Sequence, residues 1–474
     1  MSVILPFIVN SALNFALGLL IAFFLGPAEF GRYAIGAAIV VLLNTALLDW
    51  IRISAVRFYS QKARLEQPEI RATLDLLLAG MTLALAGILL AAVASGVDFR
   101  LPTMLVAAAV AAGIGAGLFD YHGAIARARF MDAAYARLVM VKNLLALVLM
   151  VGGAWWTRDA AVVLLGSVIS VGAALLTVRR ALADAPRLPG GWRRSLARDF
   201  ARYALPLVGA NAIYSLIPLI NRSLMADGYG YAEAGQFSLA ADLGLRLFGM
   251  LGAGLEIVLL REVLRLDETV GREAALRRIS DNLVIVLMVA LPCAAGLYLV
   301  LPAFEALLVP AEFRGRFGVY LTLLLPGFLA LCLFIAGLYP VFLLGKRTGL
   351  VTLAALAGLA LNLAVILCAG ALGAERFAIG QVAAFLLVLA VTGVLALRSL
   401  PALPPARELL APILATAAMA ACLLPLRRTM TPAIELAAMA ALGALVYVAV
   451  LLACDTAGCR TALRGWRSAR RGKR

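Results

Sequence analysis

The chain has 474 residues, of which 64% are apolar and only 14% charged, a balance that a water-soluble domain neither needs nor could keep in solution. Lipid is therefore the solvent for most of it, and because unpaired backbone groups are intolerable in hydrocarbon, the choice is between helices and a closed barrel. Long unbroken apolar runs exclude barrel strands, and a net charge of +16 carried in short clusters between those runs forms no face for nucleic acid.

About 20 apolar residues cross roughly 30 Å of hydrocarbon. In chain order the stretches of that length are 3–25, 33–50, 74–97, 101–122, 136–157, 160–178, 203–225, 234–260, 282–302, 317–344, 349–371, 376–397, 408–426 and 431–453, fourteen in all. The turns at 96–102 and 156–160 are so short that merging across them would reduce the count to twelve. The first span follows Met1 without a basic region or a cleavage pattern, so it reads as a retained helix and not as a cleaved signal.

Basic residues test the count, since a wrong topology would scatter them over both faces. Of the 42 Lys and Arg, only nine fall on loops and helix ends after odd-numbered spans: Arg32, Arg100, Arg158, Arg222, Arg314, Arg316, Arg376, Arg427 and Arg428. Arg246 lies inside span eight, and the remaining 32 follow even-numbered spans or form the tail. Both termini are therefore expected in the cytoplasm, and the loops on the far face are too short to hold a separate domain.

The longest hydrophilic connection, 179–202, is rich in Pro, Gly and Arg and suits a linker lying on anionic lipid. It sets the expected organisation: a six-helix lobe over 1–180, an inter-lobe loop over 181–202, a second six-helix lobe over 203–400, and two extra helices with a basic tail over 401–474. The two lobes carry related motifs. LPFIV at 5–9 opens span one as LPLVG at 205–209 opens span seven, and AEFGRY at 28–33 precedes span two as AEAGQF at 232–237 precedes span eight. Six spans per repeat would leave both copies in the same orientation.

Chemistry is sparse. His122 is the sole histidine, the six cysteines are scattered, and no metal cluster or disulfide framework is implied. GKRT at 345–348 lacks the upstream glycine of a phosphate-binding loop and has Arg where a hydroxyl should follow Lys. The carboxylates Glu29, Asp98 and Asp159 stand alone in short loops, without a catalytic pair. The expectation is a protein with no catalytic residues, no metal and no cofactor.

Ionisable groups inside spans are costly, and so are functional candidates. Asp242, Arg246, Gly249, Ala253 and Glu256 recur at steps of four and three along span eight and share one stripe, though Asp242 and Arg246 could simply neutralise each other. Span seven carries Asn211, Tyr214 or Ser215, Pro218 and Arg222; the last, near the far end, could equally snorkel toward Asp227. Asn10 and Asn14 share a face of span one, with Asn44 in span two, where interhelical hydrogen bonding competes with a ligand role. Gly113 and Gly117 in AAGIGAGLF read as helix-packing glycines, since no strand precedes them.

The segment FLGPAEFGRYAIGAAIVVLLNTALLDWIRISAVRFYS at 24–60 resembles bacterial polysaccharide and O-antigen flippases of the Wzx type, polysaccharide transporters of the multidrug/oligosaccharidyl-lipid/polysaccharide exporter superfamily. The likeness rests on Leu25-Gly26-Pro27, Glu29 and Phe30-Gly31-Arg32-Tyr33, with Ile125-Ala126-Arg127-Ala128-Arg129-Phe130 after span four; Arg52 departs from the small or apolar residue more usual there. The resemblance implies two six-helix lobes around a cavity in the inner membrane, passing a polyprenyl-pyrophosphate-linked oligosaccharide outward by alternating access, as in lipopolysaccharide assembly. Its partners would be the lipid-linked glycan, membrane lipids and other polysaccharide-assembly proteins. The cavity candidates are Arg246, Asp242, Arg222, Asn211, Tyr214, Asn14, Asn10, Asn44, Glu256 and Arg52. The competing functions are a lipid II flippase, a multidrug exporter of the same superfamily, although span one has no acid for cation coupling, and a membrane glycan polymerase or ligase.

Overall fold

The structure is a computed structural model that describes residues 4–183 and 191–456. The side chains of 4–12, 61 and 64, the middle of the inter-lobe loop, and the tail from 457 with Cys459 lie outside the described residues. Every element among the described residues is helical, which makes the chain an all-α polytopic membrane protein.

The chain runs through α1 (Ile4–Leu43), a π-helical turn (Asn44–Leu48), α2 (Asp49–Phe58), the short α3 (Gln61–Glu66), α4 (Glu69–Ala94), α5 (Thr103–Ala128), α6 (Asp132–Thr157) and α7 (Ala160–Leu182). There follow α8 (Arg194–Tyr229), α9 (Tyr231–Thr269), α10 (Arg272–Leu308), α11 (Arg316–Cys332), a second π-helical turn (Leu333–Leu338), α12 (Tyr339–Leu344), α13 (Thr348–Cys368), α14 (Arg376–Leu397), α15 (Ala406–Leu423) and α16 (Pro432–Cys454). Among the described residues, thirteen helical stretches are long and apolar enough to cross a membrane, and the first of them, Leu13–Phe58, covers parts of two of the predicted spans. α1 breaks at Gly26, whose φ of 70° and ψ of 173° leave the helix, and Pro27 starts the next stretch without needing its missing N–H. Fourteen spans result.

The two turns that left twelve open are real. Gly96, at φ 72°, closes α4 ahead of Pro102. Arg158 in the left-handed region ends α6, and the Asp159 carboxylate then accepts from the backbone N–H of Ala161 at 2.7 Å, capping α7.

The chain divides into two compact units, 1–239 and 240–474, and the boundary falls within α9. In the first unit, turns that follow odd-numbered spans meet one another. Glu29 accepts from the Ala160 N–H, Arg100 pairs with Asp227 at 3.3 Å, and the Tyr231 hydroxyl donates to the Arg100 carbonyl at 2.9 Å. At the other end the Thr73 hydroxyl donates to the Gly191 carbonyl and accepts from the Arg193 N–H, which ties the segment before α8 to the start of α4. In the second unit Arg316 and Glu375, again on turns after odd-numbered spans, pair at 3.4 Å.

A close crossing in the first unit joins the two related motifs. A Cβ placed on Gly31 would lie 2.0 Å from the Tyr231 carbonyl oxygen, and one on Gly235 would lie 2.0 Å from the Pro27 carbonyl oxygen. Adding 204 to Gly31 and Pro27 gives Gly235 and Tyr231, so each glycine meets the counterpart of the residue its partner meets. The same offset relates Gly26 to Gly230, at φ 86° and ψ 162°.

Candidate functional site

The glycine face of α5 builds the site. A Cβ on Gly113 would be 3.2 Å from Leu43 Cβ, and one on Gly117 would be 2.4 Å from Leu48 Cδ1, so bare backbone here lets the end of α1 and the π turn lie directly on α5. Asp120 sits three residues beyond Gly117, on the side that meets this neighbour. There the Asn44 amide donates to its Oδ2 at 2.9 Å. The wide π turn begins at Asn44 and presents Asn44 and Thr45 together, while one turn on, Arg52 pairs with Asp49 within α2.

α8 adds Asn211, Tyr214 and Ser215, and Arg127 closes the set around a cavity of about 550 Å³. Its four charged residues, Asp49, Asp120, Arg52 and Arg127, balance. The Asn44 Oδ1 is buried and accepts no hydrogen bond from the described residues. Asn44 lies 18 residues beyond Gly26, Asp120 17 beyond Thr103, and Asn211 18 before Tyr229, so all three stand roughly 26 Å along their helices from one set of turns. The cavity consequently lies toward the opposite, basic-loop ends of these helices.

Of the residues expected from sequence, Asn44, Arg52, Asn211 and Tyr214 meet here. Arg222 does not: it is 4% exposed and its Nη1 donates to the Ala34 carbonyl at 2.9 Å. The reach to Asp227 is not made either, since Asp227 is engaged by Arg100, and the buried guanidinium finds its acceptor on a neighbouring backbone instead. Asn14 is half-buried, and the side chain of Asn10 lies outside the described residues. Asp242, Arg246 and Glu256 are half-buried in the second unit. Their stripe includes Gly249, beside which a Cβ would find open space, whereas Gly244 packs α9 onto Phe328. None of the three lines the cavity of the first unit.

Sequence reasoning missed Asp49, Thr45, Asp120 and Arg127. Asp120 carried a usable signal, a carboxylate near the end of an apolar span and in phase with two packing glycines. Among the described residues, no group of three His, Cys, Asp or Glu side chains could hold a metal ion.

A second cavity, of about 530 Å³, lies in the second unit between α9, α10, α15 and α16. Leu247, Phe248, Pro292, Leu297, Met419, Met439 and Tyr447 are among its walls, and none of its lining residues is charged. Gly443 lets the last two helices close up on one side, where a Cβ would be 2.9 Å from Leu423 Cδ1.

No protein-family model and no curated protein sequence matches this chain. Solved structures do. The lipid II flippase MurJ, in an inward closed conformation, superposes with a TM-score of 0.77 at 13% identity, covering 94% of this chain and 97% of that one. The eukaryotic MATE transporter AtDTX14 gives 0.53 at 12% identity over 82% of this chain and 96% of its own. An inward-facing multidrug resistance MATE family transporter of the MOP superfamily gives 0.52 at 15% identity over 82% of this chain and 94% of its own. At such identities the likeness is one of fold: the chain is a polytopic membrane protein built like a flippase and like MATE transporters.

Proposed function

We propose that the protein is a flippase of the multidrug/oligosaccharidyl-lipid/polysaccharide exporter superfamily that moves a polyprenyl-pyrophosphate-linked oligosaccharide from the cytoplasmic to the outer leaflet of the inner membrane, without catalysing a reaction. The observation that carries this reading is an open polar cavity lined by membrane-spanning helices, in a fold shared along nearly its whole length with a lipid II flippase. Two carboxylates, two guanidiniums, two amides and three hydroxyls line it. Sugars both donate and accept hydrogen bonds, and a charge-balanced wall suits them better than it suits an isolated anion. The half-buried stripe of Asp242, Arg246 and Glu256 supplies a guanidinium for the pyrophosphate, and the apolar cavity beside α15 and α16 has the chemistry of a polyprenyl chain. Both termini and the basic loops are assigned to the cytoplasm, and 1–180 and 203–400 to parallel repeats, for which the reciprocal contact of Gly31 and Gly235 is the support.

Lipid II itself is the second reading, favoured by the margin between the MurJ superposition and those with MATE transporters. Deleting the gene and identifying the lipid-linked glycan that accumulates on the cytoplasmic leaflet separates the two. An O-antigen-type repeat unit supports the first, lipid II the second, and accumulation of neither overturns both.

A further inference from the structure

The GKRT segment at 345–348 has no part in the cargo cavity, yet it stands at a third one. Three connections of the second unit, between α9 and α10, α12 and α13, and α14 and α15, come together around a space of about 330 Å³. Arg272, Arg347 and Ser399 are exposed at its mouth. Val341 and Phe342 are buried on its floor, with Leu395 half-buried beside them. All three connections follow even-numbered spans, so this is the face that carries most of the basic residues.

The two guanidiniums are available. Among the described residues Arg272 is held only by Asp267, at 3.4 Å in a pair whose side chains are 43% and 30% exposed, a contact weak enough to be exchanged for a stronger anion. Arg347 makes no ion pair among the described residues. A free phosphate would satisfy these two groups and leave the apolar floor wet. An anionic lipid satisfies both, because its phosphate meets the guanidinium forks while its first methylenes cover the floor. At about 30 Å³ per water-sized group, the space takes on the order of ten such groups, enough for a phosphate and the first few carbons beyond it.

We propose that this cavity binds an anionic phospholipid of the basic-side leaflet, the phosphate lying between Arg272 and Arg347 and the chain running over Val341 and Phe342. A lipid so placed bridges the starts of α10 and α13. The site is independent of the transported cargo.

The test uses the full-length protein in detergent and measures lipid retention by native mass spectrometry. The probes are phosphatidylglycerol, phosphatidylcholine with the same chains, and glycerol 3-phosphate as a chainless competitor. Phosphatidylglycerol should be retained several-fold more than phosphatidylcholine, and glycerol 3-phosphate should not displace it. Arg272→Ala and Arg347→Ala should each lower retention by roughly fivefold. Leu395→Trp, which fills the floor and leaves every charge in place, should lower it as well, whereas Arg398→Ala, which removes a neighbouring charge outside the lining, should not. Equal retention of the two lipids overturns the proposal, as does displacement by glycerol 3-phosphate, or an Arg398→Ala loss as large as that of Arg347→Ala. Should Arg272→Ala aggregate, Arg347→Ala, just before α13, and Leu395→Trp, on α14, decide the question alone.

Discussion

The contact between Asn44 and Asp120 concentrates the chemistry of the first unit in one hydrogen bond at 2.9 Å. Asp120→Ala leaves the Asn44 amide without its acceptor in a partly desolvated wall, a loss of about 1–3 kcal/mol. The expected outcome is a protein that is still made but melts earlier and moves less glycan, measured by fluorescence-detected size exclusion after heating and by lipid-linked glycan exported per cell. Asp120→Asn, which retains an acceptor, should recover most of the stability. If Asp120→Ala exports at the parental rate, this wall does not touch the cargo. Arg246 is argued by the same logic in the second unit: Arg246→Ala should cost at least about tenfold in export, the scale of a charge-assisted hydrogen bond. Arg246→Lys should fall between, since it keeps the charge and loses the planar fork. Restoration of export by adding Asp242→Ala to Arg246→Ala would mean that the arginine only neutralised a carboxylate.

At the scale of helices, glycines decide which surfaces meet. Gly235→Val would drive a side chain into the Pro27 carbonyl oxygen in an overpacked crossing, and a loss of about 1–3 kcal/mol is expected, seen as a lower melting temperature. Gly249→Ala, with nothing within 4 Å of its new Cβ, is the matched control and should melt with the parent. Equal behaviour of the two would remove the crossing from any structural role. The helices themselves were legible in the sequence because hydropathy is local: each of the fourteen apolar runs has its helix, and the motifs at 28–33 and 232–237 do meet. Two things were not legible. α9 and α10 extend well past their apolar runs, to Thr269 and from Arg272, because polar residues continue a helix in water without leaving a hydropathy signal. The partnership of Asp120 with Asn44, and the burial of Arg222 against Ala34, depend on which faces dock, and that is settled by distant backbone and not by spacing along one helix.

For the molecule as a whole, the alternation of turns is the property to test. Reporter fusions after Arg193 and after Arg467 should both report the cytoplasm, and one at Asp98 should report the far side; opposite signals from the first two would break the even topology. The structure has already brought Glu29, Arg100, Arg158 and Asp227 to turns on one end of the first unit, and Thr73, Gly191 and Arg193 to the other.

The first unit reaches to residue 239, and α8 supplies one wall of its polar cavity. During biosynthesis, Asn44, Asp49, Arg52 and Asp120 must therefore enter the bilayer before the wall that will cover them has been translated. Between Asp120 and Ser215 the ribosome adds 95 residues, roughly 5–20 s of synthesis. Through that interval the Asn44–Asp120 and Arg52–Asp49 pairs, with the attraction of Arg52 for Asp120, shelter these residues from lipid. The side chains that line the cavity thus act first as an insertion intermediate's own protection, and variants that break either pair should be recovered in smaller amounts from the membrane even where the finished protein would tolerate them.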